Sequence, residues 1–182
     1  MIVGVIDTKL KWGNNVNFKK LFEAQAKLDK AIFEKAGIDY EKQKHEIAVK
    51  QTLALLVELS ELANEIGVFK YWKHSHKIDS LKAREEWADV LHFFLSLGNY
   101  YGFEIEIKND YKFLEIKEEK EVIAALGGLM YAAHAFDNQE AAMCFLEALL
   151  AIGNWLGMDQ KAMVAEYRRK NRINYERITN GY

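Results

Sequence analysis

Two strongly apolar stretches of this chain each carry a pair of acidic residues spaced three apart. The first, LALLVELSELANEIG, contains Glu58 and Glu61, and the second, EEWADVLHFFLSLG, contains Glu86 and Asp89. Residues at positions i and i+3 share one face of an α-helix, so both acids of each pair point the same way. A helix that is apolar nearly all round is buried. The pattern therefore predicts two buried helices that bring four carboxylates into the protein.

Four carboxylates on two buried helices repel one another and lose the hydration that stabilises them in water. Bound multivalent cations relieve both costs. Oxygen-only ligands suit a hard ion such as Mg²⁺, which commonly completes its shell with substrate phosphates. A single acidic pair can arise by chance among 27 acidic residues, and Glu115, Glu118 and Glu121 form a run expected on a solvated face or at a helix cap. Two pairs within apolar helices favour a metal site in the core.

The composition fits a single folded domain over residues 1–182. Half of the residues are hydrophobic and 13% are aromatic, which indicates apolar surface that a subunit interface can cover. A net charge of −2 gives no bulk attraction to nucleic acid or to anionic membranes. The start MIVGVIDTKLKW is unlike a signal peptide, no apolar run is long enough to span a membrane, and Cys144 is the single cysteine. We therefore expect a cytoplasmic protein that binds neither membranes nor nucleic acid directly.

Hydrophobic periodicity and helix-end signals predict an all-α bundle of about five or six helices with the acidic site in its core. The absence of proline permits long uninterrupted helices. The predicted helices cover residues 17–36, 40–66, 81–100, about 117–135, 139–156 and from about 159 onward. Asn17 is the expected N-cap of the first helix, and Asp137 with Glu140 is the expected capping box of the fifth. Residues 1–16 and 103–107 are expected to be irregular.

The connection after the second helix, VFKYWKHSHKIDS, is rich in aromatic and basic residues. Loops are usually polar, so Phe69, Tyr71 and Trp72 in this loop need an explanation. One explanation is a stacking surface for a nucleotide base, and the other is ordinary packing over the core. The sequence pattern by itself leaves both open.

The last helix carries the basic and amide-rich segment EYRRKNRINYERITNGY. Lys170, Asn174 and Arg177 recur at i, i+4 and i+7 and therefore share one face. Lys and Arg bind phosphate oxygens, and Asn offers both a donor and an acceptor. The alternative is a solvated basic tail that complements the dipole at the helix C-terminus. The sequence lacks a Gly-rich phosphate loop, so phosphate chemistry here would have to depend on a metal.

Taken together, these segments resemble the dimeric, all-α dUTP pyrophosphatases (dUTPases) of the MazG-like, all-α NTP pyrophosphohydrolase superfamily. The superfamily signature is Glu-x-x-Glu, a spacer and Glu-x-x-Asp, and the two acidic pairs match it. Three further segments are similar to the dUTPase pattern: LFEAQAKLD, with Gln25 three residues before Leu-Asp; FKYWK, similar to Phe-Lys-x-Trp; and YRRKNRINYERITNGY, similar to Tyr-x-x-Lys-Asn-x-x-Asn-x-x-Arg followed by Gly-Tyr. Residues 103–157 match only loosely.

The resemblance implies a homodimer that hydrolyses dUTP to dUMP and pyrophosphate, accepts dUDP as well, and so limits uracil misincorporation into DNA. It implies a cluster of Mg²⁺ ions held by Glu58, Glu61, Glu86 and Asp89, with Glu58 also acting as the general base. The implied substrate-binding residues come from four segments. Tyr167, Lys170 and Arg177 are implied for phosphates, and Gln25, Asn174 and alternatively Asn171 for uracil. Trp72 and Phe93 are implied for packing against base or sugar, and Lys70 lies in the same loop as Trp72.

Other functions stay open at this point. The superfamily signature also fits dCTP-directed and MazG-like pyrophosphatases of the same fold. A carboxylate-bridged di-iron bundle needs Glu-x-x-His on two helices, and only Asp89-x-x-His92 comes near that pattern. Some phage-encoded relatives bind a repressor protein as well as hydrolysing dUTP, and such a partner is compatible with catalysis.

Overall fold

The computed structural model describes residues 18–73, 77–105 and 114–181. Within these ranges the chain forms helices and no strand, which confirms the predicted all-α class. The helices are α1 (Phe18–Ala36), α2 (Tyr40–Ile66), α3 (Ser80–Tyr101), α4 (Glu119–His134), α5 (Gln139–Trp155) and α6 (Gln160–Asn180). The predictions for residues 1–16, for the Asn17 cap and for residues 106–107 fall outside the described residues.

Short polar side chains and glycines fix the ends of the two central helices. Asp39 and Asp79 precede α2 and α3, and their carboxylates accept hydrogen bonds from the first backbone N–H groups of these helices. Gly67 and Gly102 end the same helices with φ values of 68° and 70°, in the left-handed region that glycine adopts without steric cost. These signals place α2 and α3 within one residue of the predicted bounds.

The predicted capping box at the start of α5 is wrong. Asn138, one residue later than the expected Asp137, is the N-cap, and its side chain accepts from the N–H of Ala141 at 2.8 Å. Glu140 is therefore one position too early in the helix to complete the box. At the start of α4, by contrast, the Glu121 carboxylate accepts from the N–H of Glu118 at 3.0 Å, as expected for an acidic run that caps a helix.

Helix α3 is the centre of the bundle and contacts α1, α2, α5 and α6. Its Trp87 is fully buried and donates its indole N–H to the carbonyl of Leu149 on α5 at 2.7 Å. The helices approach so closely at Gly153 that an added Cβ would lie 2.8 Å from Met163 Cε and 2.9 Å from the Trp87 nitrogen. The aromatic and aliphatic core thus fixes the position of α3, which carries the second acidic pair.

Helices α5 and α6 meet at an angle of 102°. Arg84 of α3 stabilises this junction by donating to the carbonyl of Leu156 at 2.8 Å and 3.2 Å, and Asp159 caps α6 by accepting from the N–H of Ala162 at 2.8 Å. Among the described helices, none is by itself both long and apolar enough to cross a membrane. Only α5 and α6 taken together reach that length and composition, as a bent pair.

The outer face of α2 carries an apolar stripe that stays exposed among the described residues. Val49, Leu53 and Val57 are spaced four apart and are 61%, 63% and 47% exposed. Continuing this face by one turn leads to Glu61, which lines a groove of about 680 Å³ together with Leu53, Val57 and Glu86. The stripe therefore runs directly into the region of the two acidic pairs.

Candidate metal and substrate site

Three of the four predicted metal ligands come together between α2 and α3. Glu58 of α2 and Glu86 and Asp89 of α3 each offer an oxygen within 4.8 Å of the other two. All three side chains are half-buried, whereas Glu61, one turn further along α2, is more exposed. The i,i+3 spacing on α3 and the side-by-side packing of the two helices produce this cluster. We refer to Glu58, Glu86 and Asp89 as the acidic cluster.

The electrostatics of the acidic cluster favour the binding of a cation. Burial, followed by the charges of Asp89, Glu61 and Glu86, raises the pKa of Glu58 to about 7. Burial and the charges of Asp89 and Glu61 likewise raise the pKa of Glu86 to about 7. Groups with such raised pKa values gain from any cation that stabilises the ionised form. Three carboxylates with oxygen-only donors fit a hard divalent ion better than zinc, which prefers nitrogen and sulfur.

Lys170 of α6 reaches the edge of the acidic cluster. Its Nζ lies 2.6 Å from Asp89 Oδ2 and 3.1 Å from Glu85 Oε1, and its side chain is only 8% exposed. Burial alone would lower the pKa of Lys170, but the hydrogen bonds and charges of Asp89 and Glu85 outweigh burial and raise it. The ammonium is therefore charged and held within reach of any anion bound at the cluster.

Gln25 lies in a buried polar network between α1, α3 and α6. Its Nε2 donates to Asp29 at 2.8 Å and to Ser96 at 3.0 Å, and its Oε1 accepts from the Tyr167 hydroxyl at 3.2 Å. Ser96 also donates to Asp29 at 3.0 Å. Both ends of the Gln25 carboxamide are thus engaged within the protein. Asp29 and Ser96 of this network also line a cleft of about 560 Å³ between α1, α2 and α3.

The predicted residues of α6 divide between core and surface. Tyr167 is buried, with its ring 4.4 Å from that of His92 in a stacked arrangement, and Asn171 contacts its hydroxyl at 3.5 Å. Asn174 is half-buried, and its carbonyl oxygen accepts from exposed Arg177 at 3.4 Å. The face predicted from the i, i+4, i+7 spacing is real, but only Lys170 on it reaches the acidic cluster by a described contact.

A family model described as dUTPase matches residues 17–182 of the chain. The match includes both acidic pairs, the Gln25 helix and the basic α6 helix. The chain belongs to the all-α dUTPase family. No curated protein matches it.

As a dUTPase, the chain is a dUTP diphosphatase, a hydrolase that acts on dUTP. The dUTPase family generally needs a divalent metal, and the acidic cluster supplies a suitable set of carboxylates. The membership predicted from the sequence motifs is therefore confirmed.

The predicted substrate residues outside α1 and α6 make local contacts. In the dUTPase loop after α2, Lys70 donates to the carbonyl of Asn64 at 2.8 Å. Trp72 is 58% exposed and meets Tyr71 edge-on, with ring centroids 5.2 Å apart. The explanation that these loop aromatics pack over the core is thus wrong for Trp72 and Tyr71. Phe93 packs partly buried against the core, one residue after His92.

Three residues at this dUTPase site have no role in the sequence-based prediction, although Asp29 is the Asp of the LFEAQAKLD segment. Glu85 lies four residues before Asp89 on α3, Asp29 lies four after Gln25 on α1, and Ser96 lies seven after Asp89. Each spacing puts the residue on a face already known to be important, so helical periodicity contained the signal.

Proposed function

We propose that this enzyme hydrolyses dUTP to dUMP and pyrophosphate in a Mg²⁺-dependent reaction, that it also converts dUDP to dUMP, and that it thereby limits uracil incorporation into DNA. The observation that supports this most directly is the acidic cluster, with three carboxylates within 4.8 Å of one another, beside the buried ammonium of Lys170. We further infer that residues 1–182 act as one domain in the cytoplasm.

Mg²⁺ would be held by Glu58, Glu86 and Asp89, together with Glu61 at the groove. We expect more than one ion per site. When bound, Mg²⁺ supplies charge stabilisation at the phosphates and lowers the pKa of water. The charge of Glu61 acts on both Glu58 and Glu86, which supports counting it with the cluster. Four carboxylates carry more negative charge than one divalent ion neutralises, which favours several ions.

Glu58 is our choice for the general base. Without metal, burial raises the pKa of Glu58 to about 7, and a bound cation would lower that pKa and keep the carboxylate ionised, as a base that accepts a proton from water requires. In the proposed reaction, the phosphoanhydride bond between the α and β phosphoryl groups breaks, and the water oxygen ends on one of the two products. The proton from that water passes to Glu58. Glu86 shares the raised pKa, so the choice rests on the resemblance as well.

Lys170 and Arg177 are the proposed phosphate ligands. Lys170 is charged, ordered by Asp89 and Glu85, and adjacent to the acidic cluster. Arg177 is exposed on the same helix and close enough for its charge to act on Asp89. Tyr167 directs its hydroxyl to Gln25, which favours a supporting role for Tyr167 over direct phosphate binding.

The uracil edge is proposed to hydrogen-bond to Gln25 and Asn174, with Asn171 as the second candidate. The nucleoside site is completed by Trp72, Phe93 and Lys70. A carboxamide matches part of the acceptor, donor, acceptor pattern of uracil in either orientation. Because both ends of Gln25 are engaged, reading the base requires it to exchange a partner. Asp29 and Ser96 already bond to each other, so they stay satisfied during such an exchange.

We infer a homodimer formed through the apolar stripe of α2. Three large apolar residues at i, i+4 and i+8 present a continuous surface of the kind that subunit interfaces bury. The stripe leads into the groove lined by Glu61 and Glu86, so a second copy would border the metal site. Dimer formation and metal binding would then depend on adjacent parts of the α2 surface.

The experiment that tests the proposed substrate is a hydrolysis panel over dUTP, dUDP, dCTP, dTTP, dATP and dGTP, with Mg²⁺ and with a chelator. We expect release of pyrophosphate from dUTP, and of phosphate from dUDP, only with Mg²⁺. Preferred hydrolysis of dCTP, or equal rates on all nucleotides, would contradict the proposed specificity and favour another pyrophosphatase activity on the same fold.

A further inference from the structure

Glu85 shares Lys170 with Asp89. Glu85 and Asp89 are four residues apart on α3 and so occupy the same face. The Lys170 ammonium lies 3.1 Å from Glu85 Oε1 and 2.6 Å from Asp89 Oδ2. An ammonium group has three N–H donors, so these two contacts do not exhaust its hydrogen-bonding capacity. Lys170 can therefore keep Glu85 as a partner while it contacts another anion.

The second oxygen of Glu85 faces a different cation of α6. Arg169 Nη2 lies 3.7 Å from Glu85 Oε2, and Arg169 is itself oriented by Glu166, which accepts from its Nε at 2.8 Å. Each oxygen of the Glu85 carboxylate therefore faces one cation of α6. One half-exposed carboxylate thus connects the basic helix to α3 beside the acidic cluster.

We propose that Glu85 is a positioning residue for Lys170. When Asp89 binds a cation, Glu85 keeps the Lys170 ammonium at the edge of the acidic cluster, so that the ammonium is already oriented when the nucleotide phosphates bind. This inference rests on the proposed role of Lys170 as a phosphate ligand. A lysine side chain loses considerable rotamer entropy when it is fixed, and a partner that fixes it beforehand lowers this cost of binding.

A purely electrostatic role for Glu85 predicts the opposite effect. A negative charge close to a site for a polyanion repels it, so neutralising Glu85 would then strengthen nucleotide binding. Positioning of Lys170 instead predicts weaker binding when Glu85 loses its charge. The sign of the change therefore separates the two roles.

The test is a calorimetric titration of a non-hydrolysable dUTP analogue, at saturating Mg²⁺, into the wild type and four variants. The variants are Glu85→Gln, Lys170→Met, the double variant and Glu166→Gln, which removes the other partner of Arg169 but leaves Lys170 untouched. We expect Glu85→Gln to weaken binding by about fivefold, between the effects of an exposed ion pair and of a hydrogen bond to a charged group. Glu166→Gln should bind as the wild type does.

In the Lys170→Met background, Glu85→Gln should cause no further loss, because its effect acts through Lys170. With dUTP as substrate, Glu85→Gln should raise KM and leave kcat nearly unchanged, as expected for an interaction present in both ground and transition states. Thermal melts should show all variants folded, and Glu85→Ala should reproduce the sign of Glu85→Gln.

Tighter or unchanged binding by Glu85→Gln would overturn the positioning role, and so would an equal loss in the Lys170→Met background. Normal binding by Lys170→Met would also overturn it, because Lys170 would not be a phosphate ligand. A wild-type protein that fails to bind the dUTP analogue would contradict the proposed function itself. A change only in the relative affinities of the variants would leave the proposed function intact.

Discussion

Gln25 donates a hydrogen bond of 2.8 Å to Asp29, one turn further along α1, and the pair forms the buried polar centre of that helix. Burial raises the pKa of Asp29 to about 6, although the hydrogen bonds from Ser96 and Gln25 oppose this shift. An ionised carboxylate in this position costs stability, and the hydrogen bonds from Gln25 and Ser96 offset only part of that cost.

Replacing Asp29 by Asn should stabilise the protein, and more so at high pH. The pKa of Asp29 is higher in the folded protein than its ordinary value, so its contribution favours folding at low pH and is lost as pH rises through about 6. The stability gain of Asp29→Asn should therefore grow by about 1–2 kcal/mol between about pH 5 and about pH 8. Urea unfolding of both proteins in the presence of a chelator measures this difference in the free energy of unfolding. A stability gain that becomes smaller as pH rises would contradict a destabilising buried charge at Asp29.

Gln25→Ala should narrow the difference in affinity between dUTP and dCTP if Gln25 reads the base. Lys170→Ala and Arg177→Ala should instead each weaken the binding of both nucleotides alike, by about 1.5–3 kcal/mol, because both nucleotides carry the same phosphates. Titration with non-hydrolysable analogues of both nucleotides distinguishes these outcomes. Equal losses for both nucleotides with Gln25→Ala would place Gln25 among the structural residues.

Two helical glycines should respond to alanine with opposite signs. At Gly153 an added Cβ meets Met163 and Trp87 within 3.0 Å, so Gly153→Ala should destabilise the fold by about 1–3 kcal/mol. At Gly127 on α4 no atom of the described residues lies within 4 Å of the added Cβ, so Gly127→Ala should stabilise the fold by up to about 1 kcal/mol through helix propensity. Chemical denaturation of both variants tests this packing, and a stable Gly153→Ala protein would contradict it.

Leu53→Glu should separate the proposed dimer into monomers. Leu53 is 63% exposed in the middle of the α2 stripe, and burying a charge in an apolar interface carries a large desolvation cost. Light scattering should give twice 21.1 kDa for the wild type and 21.1 kDa for the variant. Ile123→Glu, at an apolar position on α4 that is 48% exposed, should leave the mass unchanged. A monomeric wild type would remove the basis for the α2 interface.

The helices were largely predictable because their determinants are local. Asp39, Gly67, Asp79 and Gly102 act on the residues beside them, so α2 and α3 could be placed from the sequence. The all-α class followed from the same periodicity. The α5 cap failed by one residue because Asp137 and Asn138 are both good caps, and the choice depends on the angle at which the chain leaves α4.

The site was less predictable because its contacts cross between helices. The acidic pairs could be recognised from spacing, but no local rule connects Lys170 to Glu85, which is 85 residues away in sequence. The same holds for Gln25 and Ser96, separated by 71 residues. Such pairs depend on how α1 and α6 pack against α3, and therefore on the tertiary structure.

We expect the acidic cluster to bind the divalent ion that dUTP hydrolysis requires. The most direct test is the rate of pyrophosphate formation from dUTP as Mg²⁺ is added to chelator-treated wild type, Glu58→Gln, and Glu46→Gln as an exposed control on the same helix. We predict no activity without Mg²⁺, full recovery for wild type and Glu46→Gln, and none for Glu58→Gln.

Glu58→Gln should nevertheless fold, with a metal-free melting temperature at or above that of the wild type, because it removes one charge from a repelling cluster whose burial raises the pKa of Glu58 to about 7. Loss of activity would then reflect the missing carboxylate and not unfolding. Chelated wild type that hydrolyses dUTP at the full rate, or a Glu58→Gln protein as active as Glu46→Gln, would contradict the account.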